Sequence, residues 1–357
     1  MRERYAIKSI FLLLNFAIVL ASLAASSDKE ESKEILQSGK FNPGHYAAVG
    51  PGETAELDDI KYLDDPAIIG INKRYFWKTL EGDMGGYDLS LIKNDLEYLA
   101  AKGKQLVVFL IDKKFSANSP LPKYLSEYEY LTDSGSYDPA RWDDFYIDRI
   151  LALAGAIGEA FGTNPNFEGL AVQESSLEIT EAAYNKFEYT PEKYRDALIR
   201  ILTGIKAAMP ESNVFWYSNF LPDNDDYLYD IADAIIPCGV FMGGPDILPY
   251  RRYLGMVSYP MYDDYKDKLV LFCSAQGDSY KHHKNDIRAG SELPPEEDGY
   301  LTMDEIFLFG RDKLHLSYIF WDYEYEGEEL GYNTFDDAIR TIRKYPVFNS
   351  GTAPRKQ

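Results

Sequence analysis

Short, almost wholly apolar runs recur along this chain, and stretches with helical spacing separate most of them. That alternation limits the fold more than any other feature. The runs at 45–49, 67–71, 105–111, 169–173, 214–217, 234–240, 269–273 and 316–321 each read as a strand. Strands this apolar, with no polar alternation, belong to parallel sheets covered on both faces. Between them, Leu91, Ile92, Leu96 and Leu99 follow the capping residues Asp88 and Ser90 at helical spacing, and Gly103 ends that pattern. Residues 143–161, 302–313 and 334–344 read the same way, and Thr190-Pro191-Glu192 opens a helix with proline at its first position. Strands alternating with helices imply right-handed βαβ units. Eight such units predict an α/β fold, a (β/α)8 TIM barrel in a single domain over 41–348. No glycine-rich phosphate fingerprint follows any strand, which argues against an open nucleotide-binding sheet. The interval between the fifth and sixth strands is the weakest, with room for only a short helix. Residues 113–140 read as a long loop.

The ends of the chain differ from its middle. Arg2, Arg4 and Lys8 precede the apolar run 10–23, and Ala24, Ala25 and Ser26 follow it. This order predicts a signal peptide over 1–25 and a secreted or periplasmic protein. The run is shorter than the roughly 20 residues a membrane span needs, so no membrane association is expected after cleavage. Residues 26–40 read as a flexible leader and 349–357 as a C-terminal tail.

Formal net charge is −21, and losing residues 1–25 removes three positive charges and one negative one. A surface this acidic repels phosphate backbones and excludes nucleic acid as a partner. It suits a soluble monomer with a neutral substrate. Cys238 and Cys273 are the only cysteines, so no disulfide framework supports the fold. They fall on consecutive predicted strands and are expected as buried free thiols. Tyrosine is abundant, at 29 residues, beside 19 Phe and 4 Trp. Such rings suit both a core and a sugar-binding cleft.

A barrel of this type carries its active site at the C-terminal ends of its strands. The second strand ends near Trp77 and Glu81, the third at Asp112, and the fourth at Gln173 and Glu174. The fifth ends at Tyr217, Ser218 and Asn219, and the sixth at Asp246. The seventh ends at Gln276 and Asp278, and the eighth at Trp321, Asp322 and Glu324. These positions are dense in carboxylates, amides and rings. They hold no cluster with zinc-ligand spacing, and no metal or cofactor is implied.

The run Phe76-Trp77-Lys78-Thr79-Leu80-Glu81, then Gly86-Tyr87-Asp88-Leu89-Ser90, resembles an entry common in barrel glycoside hydrolases of the cellulase, mannanase and β-galactosidase families. There it reads as an aromatic pair, a Leu-Glu, and Gly-x-Tyr-Asp-Phe-Ser leading into a helix. Gln173-Glu174 resembles their Asn-Glu at the fourth strand, where the glutamate is the general acid/base. Trp321 is similar to the tryptophan that floors their sugar pocket. The resemblance implies a secreted glycoside hydrolase acting on a poly- or oligosaccharide, with Glu174 as proton donor.

Glycoside hydrolysis needs two carboxyl groups across the scissile bond. The resemblance places the second at the end of the seventh strand, where this chain has Gln276, and an amide cannot act as a nucleophile. Asp278, Asp246, or Asp322 with Glu324, could supply it instead. The alternative is a non-catalytic carbohydrate-binding barrel without the nucleophile. Trp77, Trp216, Trp321, Tyr217 and Tyr323 are candidates for stacking on sugar rings, with Asn219 and Arg74 for sugar hydroxyls. His282 and His283 read as a solvated basic loop, and residues 223–226 as a solvated acidic turn. No Gly-x-Ser-x-Gly elbow supports an esterase.

Overall fold

In the computed structural model, residues 40–50, 57–283, 299–323 and 332–348 are described. Eight strands form a closed barrel: β1 (Gly44–Val49), β2 (Ile68–Phe76), β3 (Gln105–Ile111), β4 (Phe167–Val172), β5 (Asn213–Tyr217), β6 (Phe241–Gly244), β7 (Leu271–Ala275) and β8 (Tyr318–Asp322). Each pairs in parallel with the next, and β8 returns to β1. α-Helices occupy the intervals from β2 onward, and a 3-10 turn at Leu57–Asp59 stands between β1 and β2, so the predicted (β/α)8 barrel is the observed one. Among the described residues no helix is long and apolar enough to cross a membrane. Residues 1–39 and 349–357, with the signal, leader and tail expected there, lie outside the described residues, as does Glu324.

The long helices start where the sequence supplies an oxygen for their unpaired amides. Asp143 accepts from the backbone of Phe145 and Tyr146 at the head of the helix Asp144–Phe161. Thr190 accepts from Lys193 at the head of Pro191–Ala208. Thr302 and Glu305 form a reciprocal capping box before Met303–Asp312. One apolar stripe of each helix, such as Ile147, Ile150, Ala154 and Ile157, packs on the outside of the barrel. All four tryptophans, Trp77, Trp142, Trp216 and Trp321, belong to this outer core.

A separate core fills the barrel itself, built from Tyr46, Phe109, Phe215, Tyr217, Phe272, Tyr318 and Phe320 among others. Phe215 sits at its centre, edge-on to Phe241, Phe272 and Tyr318 at 5.2, 5.2 and 5.5 Å. At the N-terminal end the buried Glu168 carboxylate accepts from the Asn42 amide and backbone, from Asn213 and from the Tyr318 hydroxyl. A carboxylate removed from water requires such donors. Nearby, Lys40 donates to the carbonyls of Gly162 and Phe167 and to Ser212, and burial lowers its pKa to about 8. Gly169 lets β4 and β5 approach here, since a Cβ would stand 2.0 Å from the Asn213 oxygen. Among the described residues the barrel is therefore a cylinder plugged at its N-terminal end.

Two segments differ from the sequence expectation. Residues 234–240 are not a strand: the helix Tyr227–Ile235 runs into a 3-10 turn at Ile236–Cys238, and β6 begins only at Phe241. Leu228, Ile231, Ala232 and Ile235 are the helix's buried face, so the apolar run straddles a helix end. Pro237 and Gly239, the latter at φ 69°, make the turn between the two. Cys238 consequently lies on that turn and not on a strand, and both thiols are free. Residues 113–140 hold structure of their own, a 3-10 turn at Lys123–Tyr128 and an antiparallel hairpin of Glu129–Leu131 with Tyr137–Pro139.

Candidate active site

A cavity of about 570 Å3 opens at the C-terminal mouth of the barrel. Arg74 and Phe76 line it from β2, and Phe109 and Ile111 from β3. Lys113, Lys114 and Phe115 follow β3, Gln173 and Glu174 follow β4, and Tyr217 ends β5. Asp246 arrives just beyond β6, and Gln276 and Asp278 just beyond β7. Phe109 and Tyr217 stack at 4.7 Å with their planes 4° apart and form the floor.

Glu174 is held from several sides. Its Oε2 accepts from the Asn219 amide at 2.7 Å, and the Lys113 ammonium stands 3.5 Å from Oε1. Its main-chain carbonyl accepts from Arg141 at 2.6 Å. Arg141 is buried and forks onto both oxygens of Asp112, each bond 2.7 Å. Gln173 joins the loops after β3 and β4, accepting from the amides of Asp112 and Lys113 and donating to the Lys113 carbonyl. Ser175 ties the same segment to the β5 loop through Asn219 and Phe220. The position of Glu174 is thus set by a mostly buried polar network, not by the loop's own conformation.

Asp246 sits in a different environment. It is half-buried in the cavity wall, and its Oδ1, shielded from solvent, has no hydrogen-bond partner among the described residues. Burial first, then the charges of Asp278 and Glu174, push its carboxyl up to about 8, against the opposing pull of Arg251 and Arg74. At neutral pH this acid keeps its proton. Asp278 is half exposed and pairs with Lys281 at 3.1 Å and, more loosely, with Arg251 at 3.8 Å. Two carboxyl groups in one cavity with contrasting environments can divide acid and base roles.

The structure brings Glu174, Asp246, Asp278, Gln173, Gln276, Tyr217 and Asn219 to this mouth. It removes other candidates. Trp77, Trp216 and Trp321 are fully buried on the outer side of the barrel wall and cannot touch a ligand in the cavity. Trp77 donates to Glu81 at 2.8 Å, and Trp321 donates to His45 at 3.0 Å. Glu81 is likewise buried, accepting from Gly85 and pairing with Arg149, so it is a structural acid. Asp322 ends β8 but does not line the cavity, and Tyr323 bonds to Asp59 and Lys61 elsewhere. His282 is buried and accepts from the Tyr250 backbone, so it is no solvated loop residue.

Sequence reasoning passed over Phe76, Lys113, Lys114 and Phe115, which supply much of one wall. Phe115 is 81% exposed and offers its ring at the entrance. A signal existed: Lys113-Lys114 follows a strand end directly, at catalytic-face positions, in a strongly acidic chain. Among the described residues no group of side chains could hold a metal ion.

No family model and no curated protein matches the sequence. Solved structures do. The GH5_18 protein from Streptomyces cattleya, in complex with GlcNAc, is similar at TM-score 0.53 and 13% identity, over 89% of this chain and 83% of that one. Xylanase 10B from Thermotoga petrophila RKU-1, in complex with xylobiose, is similar at TM-score 0.50 and 12% identity, over 88% and 97%. The exo-beta-1,4-mannosidase Op5Man5 from Opitutaceae bacterium strain TAV5 gives 0.51 and 11%, over 87% and 61%. The barrel of this chain is the fold on which these glycoside hydrolases are built.

Proposed function

We propose that the protein is a secreted glycoside hydrolase acting on a poly- or oligosaccharide, with Glu174 and Asp246 as its two carboxyl groups. The observation that carries this reading is that both line one cavity at the catalytic end of the barrel, one of them kept neutral by burial. Asp246 holds a proton at neutral pH and gives it to the leaving glycosidic oxygen. Glu174, facing the donors Lys113 and Asn219, is the charged partner on the anomeric side. This exchanges the roles that the resemblance to barrel hydrolases implies, where Glu174 is the proton donor. The barrel likeness to the neighbours' fold supports the reaction class, and the charged start and apolar run of residues 1–25 support export.

The second reading is a carbohydrate-binding barrel without turnover, favoured by Gln276 where a nucleophile would stand at the end of β7. Reducing-end release from a panel of plant and algal polysaccharides separates the two. Glu174→Gln is expected to lower release by about 10²–10⁴-fold, the usual scale for an acid/base or charged partner. Release that persists unchanged in this variant removes Glu174 from the reaction. Binding with no release from any polysaccharide favours the second reading.

A further inference from the structure

We propose that the cavity is built for an anionic sugar, a uronic acid or a sulfated residue, whose charged group sits between Arg74 and Lys114. This rests on the carbohydrate reading of the same cavity. The chain carries a formal net charge of −21, yet the cavity lining holds three cations against three acids. Most of these charges are already committed. Lys113 donates to the Ser176 carbonyl and faces Glu174. Asp278 pairs with Lys281 and Arg251. The half-buried Asp246 is held toward its neutral form by desolvation. Two cations are left over.

Neither Arg74 nor Lys114 makes an ion pair or side-chain hydrogen bond among the described residues; each rests on a ring. The Arg74 guanidinium lies 5.9 Å from the Phe109 centroid, and the Lys114 ammonium 4.6 Å from that of Phe76. The strands hold them on one wall, since Arg74 pairs in register with Phe109 and Phe76 with Ile111. A backbone bridge to Tyr137 fixes Lys114 in turn. A guanidinium carries five donors, and leaving them unused in a half-buried site is unfavourable. The buried Arg141 shows the contrast, since it makes four hydrogen bonds, to Asp112, Glu174 and Tyr194. A planar carboxylate or a sulfate offers the oxygens that Arg74 lacks, and Lys114 adds a second positive charge. The neutral Asp246 and the paired Asp278 leave little to repel such a group.

Calorimetric titration tests this on Asp246→Asn, which is expected to bind without turning over. Oligogalacturonate, a sulfated galactan oligosaccharide and a neutral galactan oligosaccharide are the probes. At least one anionic ligand is expected to bind ten-fold or more tightly than the neutral one, weakening as salt rises. Its identity tells a carboxylate from a sulfate. Arg74→Gln and Lys114→Gln should each weaken that ligand ten-fold or more and leave the neutral one nearly unchanged. Equal affinity for charged and neutral ligands, no binding of either anionic ligand, or indifference to both substitutions overturns the proposal. Glu174-dependent cleavage of neutral polysaccharides without anion preference would overturn this inference alone. Anion binding through Arg74 in a protein that cleaves nothing would remove the hydrolase reading and keep this one.

Discussion

Asp246→Asn is expected to lose hydrolysis and to melt at a higher temperature than the parent chain. Both effects come from the same burial. The Asp246 carboxyl is raised from the ordinary range to about 8, so the folded chain holds a proton that the unfolded chain releases near pH 4. Holding it opposes folding by about 1.4 kcal/mol per pH unit between about pH 4 and 8, and so by about 4 kcal/mol at pH 7. Below pH 4 both states are protonated and the penalty disappears. Asparagine never ionises and avoids it at every pH. The stability gap between variant and parent should therefore open as pH rises from 4 to 8 and then level off. Denaturant unfolding at pH 4, 6 and 8 measures it, and a gap that does not change with pH would falsify a neutral Asp246. Turnover should fall by about 10²–10⁴-fold in the variant, since an amide has no proton to give. In the parent, activity should decline as pH passes about 8 and Asp246 loses its proton.

Arg141→Ala should carry the largest structural cost near the site. The substitution leaves the buried Asp112 carboxylate with the Tyr146 hydroxyl as its remaining donor and no counter-charge. Removing one partner of a buried pair costs about 3–5 kcal/mol. It also frees the Glu174 carbonyl, so activity should fall further than stability accounts for. Arg141→Met combined with Asp112→Leu separates the two effects. That double variant should regain most of the stability, because no buried charge is left alone, while turnover stays low because the Glu174 carbonyl has lost its Arg141 donor. Recovery of turnover along with stability would show that Arg141 only balances charge.

The barrel could be read from the chain because its strands are apolar throughout and its helices are periodic. The same uniformity hid which side chains face inward. Along a strand the two faces alternate, and in β2, β5 and β8 the inward set is Arg74 and Phe76, Phe215 and Tyr217, and Tyr318 and Phe320. Trp77, Trp216 and Trp321 stand one residue out of phase and face the helices. A run that is apolar at every position carries no mark of this parity, so the tryptophans looked like a sugar platform. Carboxylates at strand ends were easier, because Glu174, Asp246 and Asp278 follow the last strand residue closely and loop direction matters less. The β6 error has another cause, a helix end and a strand start sharing one apolar run across Pro237 and Gly239. What no local pattern could reveal was the long-range partnering, in which Arg141 sets Glu174 and Lys281 occupies Asp278 while Arg74 is left free to meet a ligand.

The seating of the indoles has a spectroscopic consequence. With every tryptophan in the outer core and none on the cavity wall, their emission should be blue-shifted in the native chain and move to the red only when the helices leave the barrel. A saturating oligosaccharide should barely change that spectrum. Intrinsic fluorescence would then report folding alone, and calorimetry would report the ligand, so the two equilibria can be followed in one sample without either signal contaminating the other.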